Sequence, residues 1–173
     1  MASCLVGSEM CIRDSIRGNG KFADVEYNIK EMKKIPSVSR IVGAFTVQAN
    51  NILQIDKVID YFLRDMEIVF YSHRVNYPRA LSAQVLPEKL KQAVVVKLEA
   101  MKDKVKDYPI IQKHPVLEKI TLRQIQDNIN FLQAKDLHQY WDDCVDFNRK
   151  LDETRNQGPV SYTHLRAHET TCH

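Results

Sequence analysis

Arg40-Ile41-Val42-Gly43-Ala44-Phe45-Thr46-Val47 and Glu67-Ile68-Val69-Phe70-Tyr71 are the two stretches that decide the fold. Each is short, apolar and β-branched, the composition expected of a strand buried on both faces. Between them, Ile55, Val58, Ile59, Phe62 and Leu63 recur at helical spacing, so one amphipathic helix joins the strands. Asn50 or Asn51 stands where a side chain caps the first free amides of that helix. Strands separated by a single helix imply parallel pairing with a right-handed crossover. Upstream, Phe22, Val25, Ile29 and Met32 share a helical face, and Pro36 lies just beyond its end. Helix, strand, helix and strand in this order belong to an α/β fold.

The pattern changes near Pro78. Pro87 is expected at the first position of a helix running to about Met101, with Leu90, Ala93, Val94, Leu98 and Met101 turned inward. The charged run 102–107 reads as a solvated helix end and loop rather than a binding patch. Thr121 and Gln124 have the spacing of a T-x-x-Q capping box ahead of Leu122, Ile125, Ile129 and Leu132. A last helix carries Leu137, Tyr140, Trp141, Cys144 and Leu151, with Gly158 in the position that glycine favours after a helix. This second part is predicted to be helical.

The two ends of the chain are of a different kind. Asp14 read as GAC has the reverse complement GTC, which is Val160; Arg13 as AGA gives Ser161, Ile12 gives Tyr162, and Cys11 gives Thr163. The correspondence continues outward through all fourteen pairs to Met1 and His173, and it fails at Ser15 and Pro159. Segments 1–14 and 160–173 are therefore read as translations of an inverted DNA repeat, and they look like a transposase-type sequencing-library adapter in its two orientations. Such segments are set aside before fold reasoning. Setting them aside takes Lys+Arg from 25 to 23 and Asp+Glu from 22 to 19, a net charge of +4. That balance gives no strong nucleic-acid signal, for which a clustered basic face is the footprint. Cys4, Cys11, Cys172, His164, His168 and His173 go with the ends, and any disulfide framework or terminal metal site goes with them. Cys144 remains. The chain has no signal-peptide pattern and no apolar run of about 18 residues, so no membrane partner and a cytoplasmic location are expected.

Candidate chemistry is sparse. Arg17-Gly18-Asn19-Gly20 is a glycine-bearing loop before a helix, but it lacks the full dinucleotide or P-loop spacing and reads as a simple turn. Cys144 shares an apolar stripe with Trp141 and Leu151, which makes it a packed thiol. His73, His114 and His138 match no zinc spacing. Asp142 and Asp143 are adjacent on a helix, point in different directions, and form no acid/base pair.

Three motifs carry a resemblance. Asn51-Ile52-Leu53 follows a strand ending Phe45-Thr46-Val47, and Tyr77-Pro78-Arg79-Ala80-Leu81-Ser82-Ala83-Gln84-Val85-Leu86-Pro87 leads into a Lys-rich helix. Phe147-Asn148-Arg149-Lys150-Leu151-Asp152-Glu153-Thr154-Arg155-Asn156-Gln157 ends the genuine segment. Together these resemble the later half of radical S-adenosylmethionine proteins of the twitch-domain type, over nearly all of residues 15–158. The resemblance implies an incomplete parallel (β/α) partial barrel over 15–77, followed by a mainly helical, twitch-like C-terminal region over 78–158. It also implies a [4Fe–4S] cluster and S-adenosylmethionine as cofactors of a longer protein, the cluster held by C-x-x-x-C-x-x-C in an earlier loop. That motif is not in this sequence, so the chain is expected to be inactive alone, with further strand–helix units encoded upstream of Ser15. Ser15-Ile16-Arg17-Gly18 departs from the family's Ser-Ile-Asp-Gly strand end by an arginine at position 17.

Parallel barrels build their sites at the C-terminal ends of strands. In the partial-barrel reading this selects Thr46, Gln48 and Asn50 after the first strand, and Tyr71 and His73 after the second, as cofactor-binding residues. No catalytic or metal-ligating residue is selected, and the substrate is unknown. The alternative is a non-enzymatic α/β module that binds another protein through Trp141, Tyr140 and Phe147, since aromatic residues are enriched at the centres of such surfaces.

Overall fold

The computed structural model describes residues 22–38 and 40–154. Segments 1–14 and 160–173, the loop 15–20, the stretch 155–157 and the Gly158 cap lie outside the described residues. The chain divides into two compact units at Ile41/Val42. In the first, α1 (Phe22–Met32) covers the predicted helix, and its last turn closes through Lys33 N–H to Ile29 O at 3.1 Å ahead of Pro36. Val25 and Met32 on its apolar face are exposed.

The second unit contains β1 (Val42–Val47) and β2 (Val69–Arg74), paired in parallel as expected, with Ala44 opposite Tyr71 and Thr46 opposite His73. A 3₁₀ turn over Ile52–Gln54, α2 (Ile55–Asp60) and a wide π turn over Tyr61–Asp65 make the crossover. Ile55, Ile59 and Leu63 on the predicted face are completely buried. The π turn ends with Met66 N–H on Tyr61 O, and Glu67 takes a φ of 43°, reversing the chain into β2. That reversal uses up Glu67 and Ile68, so the strand begins two residues later than predicted. It also runs three residues further, because Ser72, His73 and Arg74 continue the ladder despite their polarity.

After β2 come two 3₁₀ turns, Arg79–Leu81 and Ala83–Val85, then α3 (Glu88–Lys104), α4 (Pro109–Lys113), α5 (Val116–Ala134) and α6 (Trp141–Thr154). Pro87 is the cap of α3 rather than its first residue, and Ala93 is exposed rather than inward. Leu90, Val94, Leu98 and Met101 are buried as expected. α5 starts at Val116, so Thr121 lies in mid-helix, and the T-x-x-Q spacing marks no cap there. Thr121 is buried instead, and Gln124 turns toward the sheet.

α2 packs on α3, α3 on α5, and α5 on β2. One hydrophobic cluster takes in Val47, Ile59 and Phe70 before Pro78, and Val85, Leu98, Ile125 and Cys144 after it. The change of character near Pro78 therefore falls inside a shared core. Among the described residues no helix is long and apolar enough to cross a membrane.

Candidate functional site

Burial alternates along β1, with Val42, Ala44 and Thr46 exposed, while Gly43, Phe45 and Val47 are turned to the helices. Tyr71 and His73 of β2 are exposed beside them. The expectation of strands buried on both faces is thus overturned. Among the described residues the helices cover one face of the sheet, and on the other Val42, Ala44, Thr46, Tyr71 and His73 are exposed while Val69 is buried. Gly43 explains how closely the covered face is packed: a Cβ there would stand 2.6 Å from the Phe62 ring of the π turn. Such an approach needs glycine.

On the open face, the Tyr71 and His73 rings meet edge to face with centroids 4.7 Å apart. Thr46 is opposite His73. Tyr71 and His73 both lie within β2, His73 having fallen beyond the shorter predicted strand that ended at Tyr71, and Thr46 lies within β1. The structure brings these three together on one wall.

Gln48 and Asn50 fall in the turn that follows β1. Asn51 organises that turn rather than capping α2: its Nδ2 donates to Thr46 O at 2.8 Å and its Oδ1 accepts from Gln48 N–H at 3.0 Å. No side-chain cap bond is made by Asn51 to the helix. The turn is tied to the chain after β2, with Val75 N–H on Val47 O and Ala49 N–H on Leu81 O, each at 3.0 Å. Among the described residues, Asn50 Oδ1 is buried at this rim with no donor, and Arg74 Nη1, at the last residue of β2, is buried with no acceptor. Arg79 differs, since its Nη1 donates to Tyr140 Oη at 2.9 Å and its guanidinium lies over the Tyr140 ring.

Behind the sheet, Ser72 joins β2 to α5. Its N–H and its Oγ–H both donate to Gln124 Oε1 at 3.1 Å, and Asn128 Nδ2 donates to Ser72 Oγ at 2.9 Å. A side chain thereby satisfies an amide of β2 that in a wider sheet would face another strand. Further along α5, Gln84 Nε2 donates to Phe131 O at 2.6 Å, fixing the approach to α3.

Cys144 is fully buried, and burial pushes its thiol up to about 11, the behaviour of a packed thiol. Trp141 belongs to the core cluster and Tyr140 is engaged with Arg79, which leaves Phe147 as the exposed member of the aromatic trio. His114 and His138 are exposed, and no group of three or more His, Cys, Asp or Glu comes together among the described residues. Arg74 was not selected from sequence because the strand was read as ending at Tyr71. No family model, no curated protein and no solved structure matches this chain.

Proposed function

We propose that residues 15–77 belong to an incomplete partial (β/α) barrel, and residues 78–158 to a mainly helical twitch-like region, of a radical S-adenosylmethionine enzyme. The observation that carries this reading is the one-sided sheet. Parallel sheets are normally covered on both faces, yet Val42, Ala44, Thr46, Tyr71 and His73 lie open while helices fill the other side. In a barrel wall that open face is the interior, and the rim beyond the strand ends is where ligands bind. Thr46, Gln48, Asn50, Tyr71 and His73 then contact S-adenosylmethionine or the substrate.

The described residues do not fit an iron–sulfur cluster. Cys144 is the one cysteine among them, and its thiol is buried and protonated at neutral pH, whereas a cluster takes several exposed thiolates. In this reading the cluster is held by chain encoded upstream of Ser15, and the present chain supplies wall and rim.

Recovery of the native upstream reading frame tests the proposal. Within roughly 100 to 150 residues, a domain's worth of chain, it should encode C-x-x-x-C-x-x-C in a loop after a strand. The extended protein, reconstituted anaerobically, should hold stoichiometric cluster iron, and the present chain should hold none. A complete upstream domain without the cysteine triad sinks the reading.

A further inference from the structure

We infer that the rim at the end of β2 binds a small acidic molecule through Arg74, its carboxylate or phosphate group meeting the guanidinium. Cations that make tertiary contacts elsewhere in this unit have acceptors: Lys91 meets Asp136 at 2.9 Å, Lys97 meets Leu53 O at 2.7 Å, and Lys113 meets Glu67. Arg74 breaks the pattern, with Nη1 buried and unpaired among the described residues. A guanidinium stays charged at any ordinary pH, so it cannot escape the cost of burial by losing a proton. A buried donor without a partner is expensive, and more so when it is charged.

Arg74 as a whole is half-buried, so part of the residue lies at the surface although Nη1 does not. Arg74 also closes a parallel strand, the end at which such sheets receive ligands. Asn50 Oδ1, in the turn tied to the same rim, is likewise a buried polar atom without a partner among the described residues, as is Asn128 Oδ1 on α5. Both are acceptors, where Arg74 is a donor. The planar fork of arginine suits carboxylate and phosphate alike. This inference goes beyond the barrel reading and holds whether or not upstream chain carries a cluster.

The test is a thermal titration of the full chain with inorganic phosphate and, separately, with acetate, ionic strength being held constant with sodium chloride. At least one of the two anions should raise the melting temperature saturably, by about 3 to 6 °C at ten times its dissociation constant. Arg74→Met should abolish that rise and, without anion, melt no lower than the parent chain, because an unpaired buried charge has been replaced by an apolar side chain. Arg79→Met should keep the rise. If Arg74→Met does not fold, Arg74→Lys replaces it and should weaken binding at least about fivefold, since an ammonium lacks the bidentate fork. No saturable rise with either anion, or an equal rise in the Arg74 variants, overturns the inference.

Discussion

At the scale of single residues, the polar groups divide into those that hold the core and those left for something else. Ser72, Gln124 and the Asn128 amide nitrogen bond one another across β2 and α5, while Asn128 Oδ1 is left buried without a partner among the described residues, and Asn148 Nδ2 reaches back to Cys144 O at 2.8 Å within α6. Cys144 gives this scale its measurable consequence. Its thiol is raised from an ordinary value near 9 to about 11, so the folded chain holds that proton more tightly than the unfolded chain. Stability from this group is fully present below about pH 9 and is lost as pH rises through about 11. Tyr108 acts with the same sign, because burial and its hydrogen bond to Asp60 Oδ1 at 2.9 Å both raise its hydroxyl. Urea unfolding followed from pH 8.5 to 11 should therefore show a fall on the order of 2 kcal/mol attributable to Cys144. The fall should be smaller by that amount in Cys144→Ala, and equal slopes in the two proteins would refute the assignment.

At the scale of elements, the decisive fit is between β1 and the π turn. A π turn widens the backbone by one residue, and here it sets the Phe62 ring directly over Gly43. Gly43→Ala inserts a methyl into that contact and should destabilise the chain by about 1–3 kcal/mol, the usual cost of overpacking. Phe62 is half-buried, so shortening it opens room for the new methyl. Gly43→Ala combined with Phe62→Leu should then cost clearly less than the sum of the single changes, a coupling expected of residues in contact. Additive losses in a denaturant double-mutant cycle would show that the clash is relieved elsewhere. The same turn explains why β2 is displaced from its predicted position. Chain reversal at Glu67 is a matter of backbone hydrogen bonding to Tyr61 and Phe62, and no apolar spacing announces it.

At the scale of the whole molecule, segments 1–14 and 160–173 show no helical or strand periodicity in sequence, and chain ends of that kind commonly bury little surface. Deleting both should change the free energy of unfolding by less than about 1 kcal/mol, the scale of a typical single substitution. A larger loss in urea would mean that these segments pack. The second unit draws its core from both sides of Pro78, with Ile55 and Ile59 in the same cluster as Leu98 and Ile125. Among the described residues two strands make its sheet, and the helices of the unit pack against one face.

Apolar spacing made the helix–strand–helix–strand order up to β2, its parallel pairing and most of the α3 stripe legible, because burial of an apolar face imposes a period that survives in the order of residues; α4 and the first turn of α5 were not read from it. Leu90, Val94, Leu98 and Met101 are legible in that way, and so is the packed thiol of Cys144. Exposure of Tyr71 and His73 was not legible, since an apolar run reads the same whether one face of its strand is covered or two. Gln124 looked like a cap because spacing alone cannot tell a helix start from a helix middle, and only the packing of α5 on β2 turns it to Ser72. The pairing of the two rims and the unpaired states of Asn50 and Arg74 were decided by tertiary structure alone. Whether a buried polar group finds a partner depends on what arrives from distant parts of the chain, and at this rim no partner arrives.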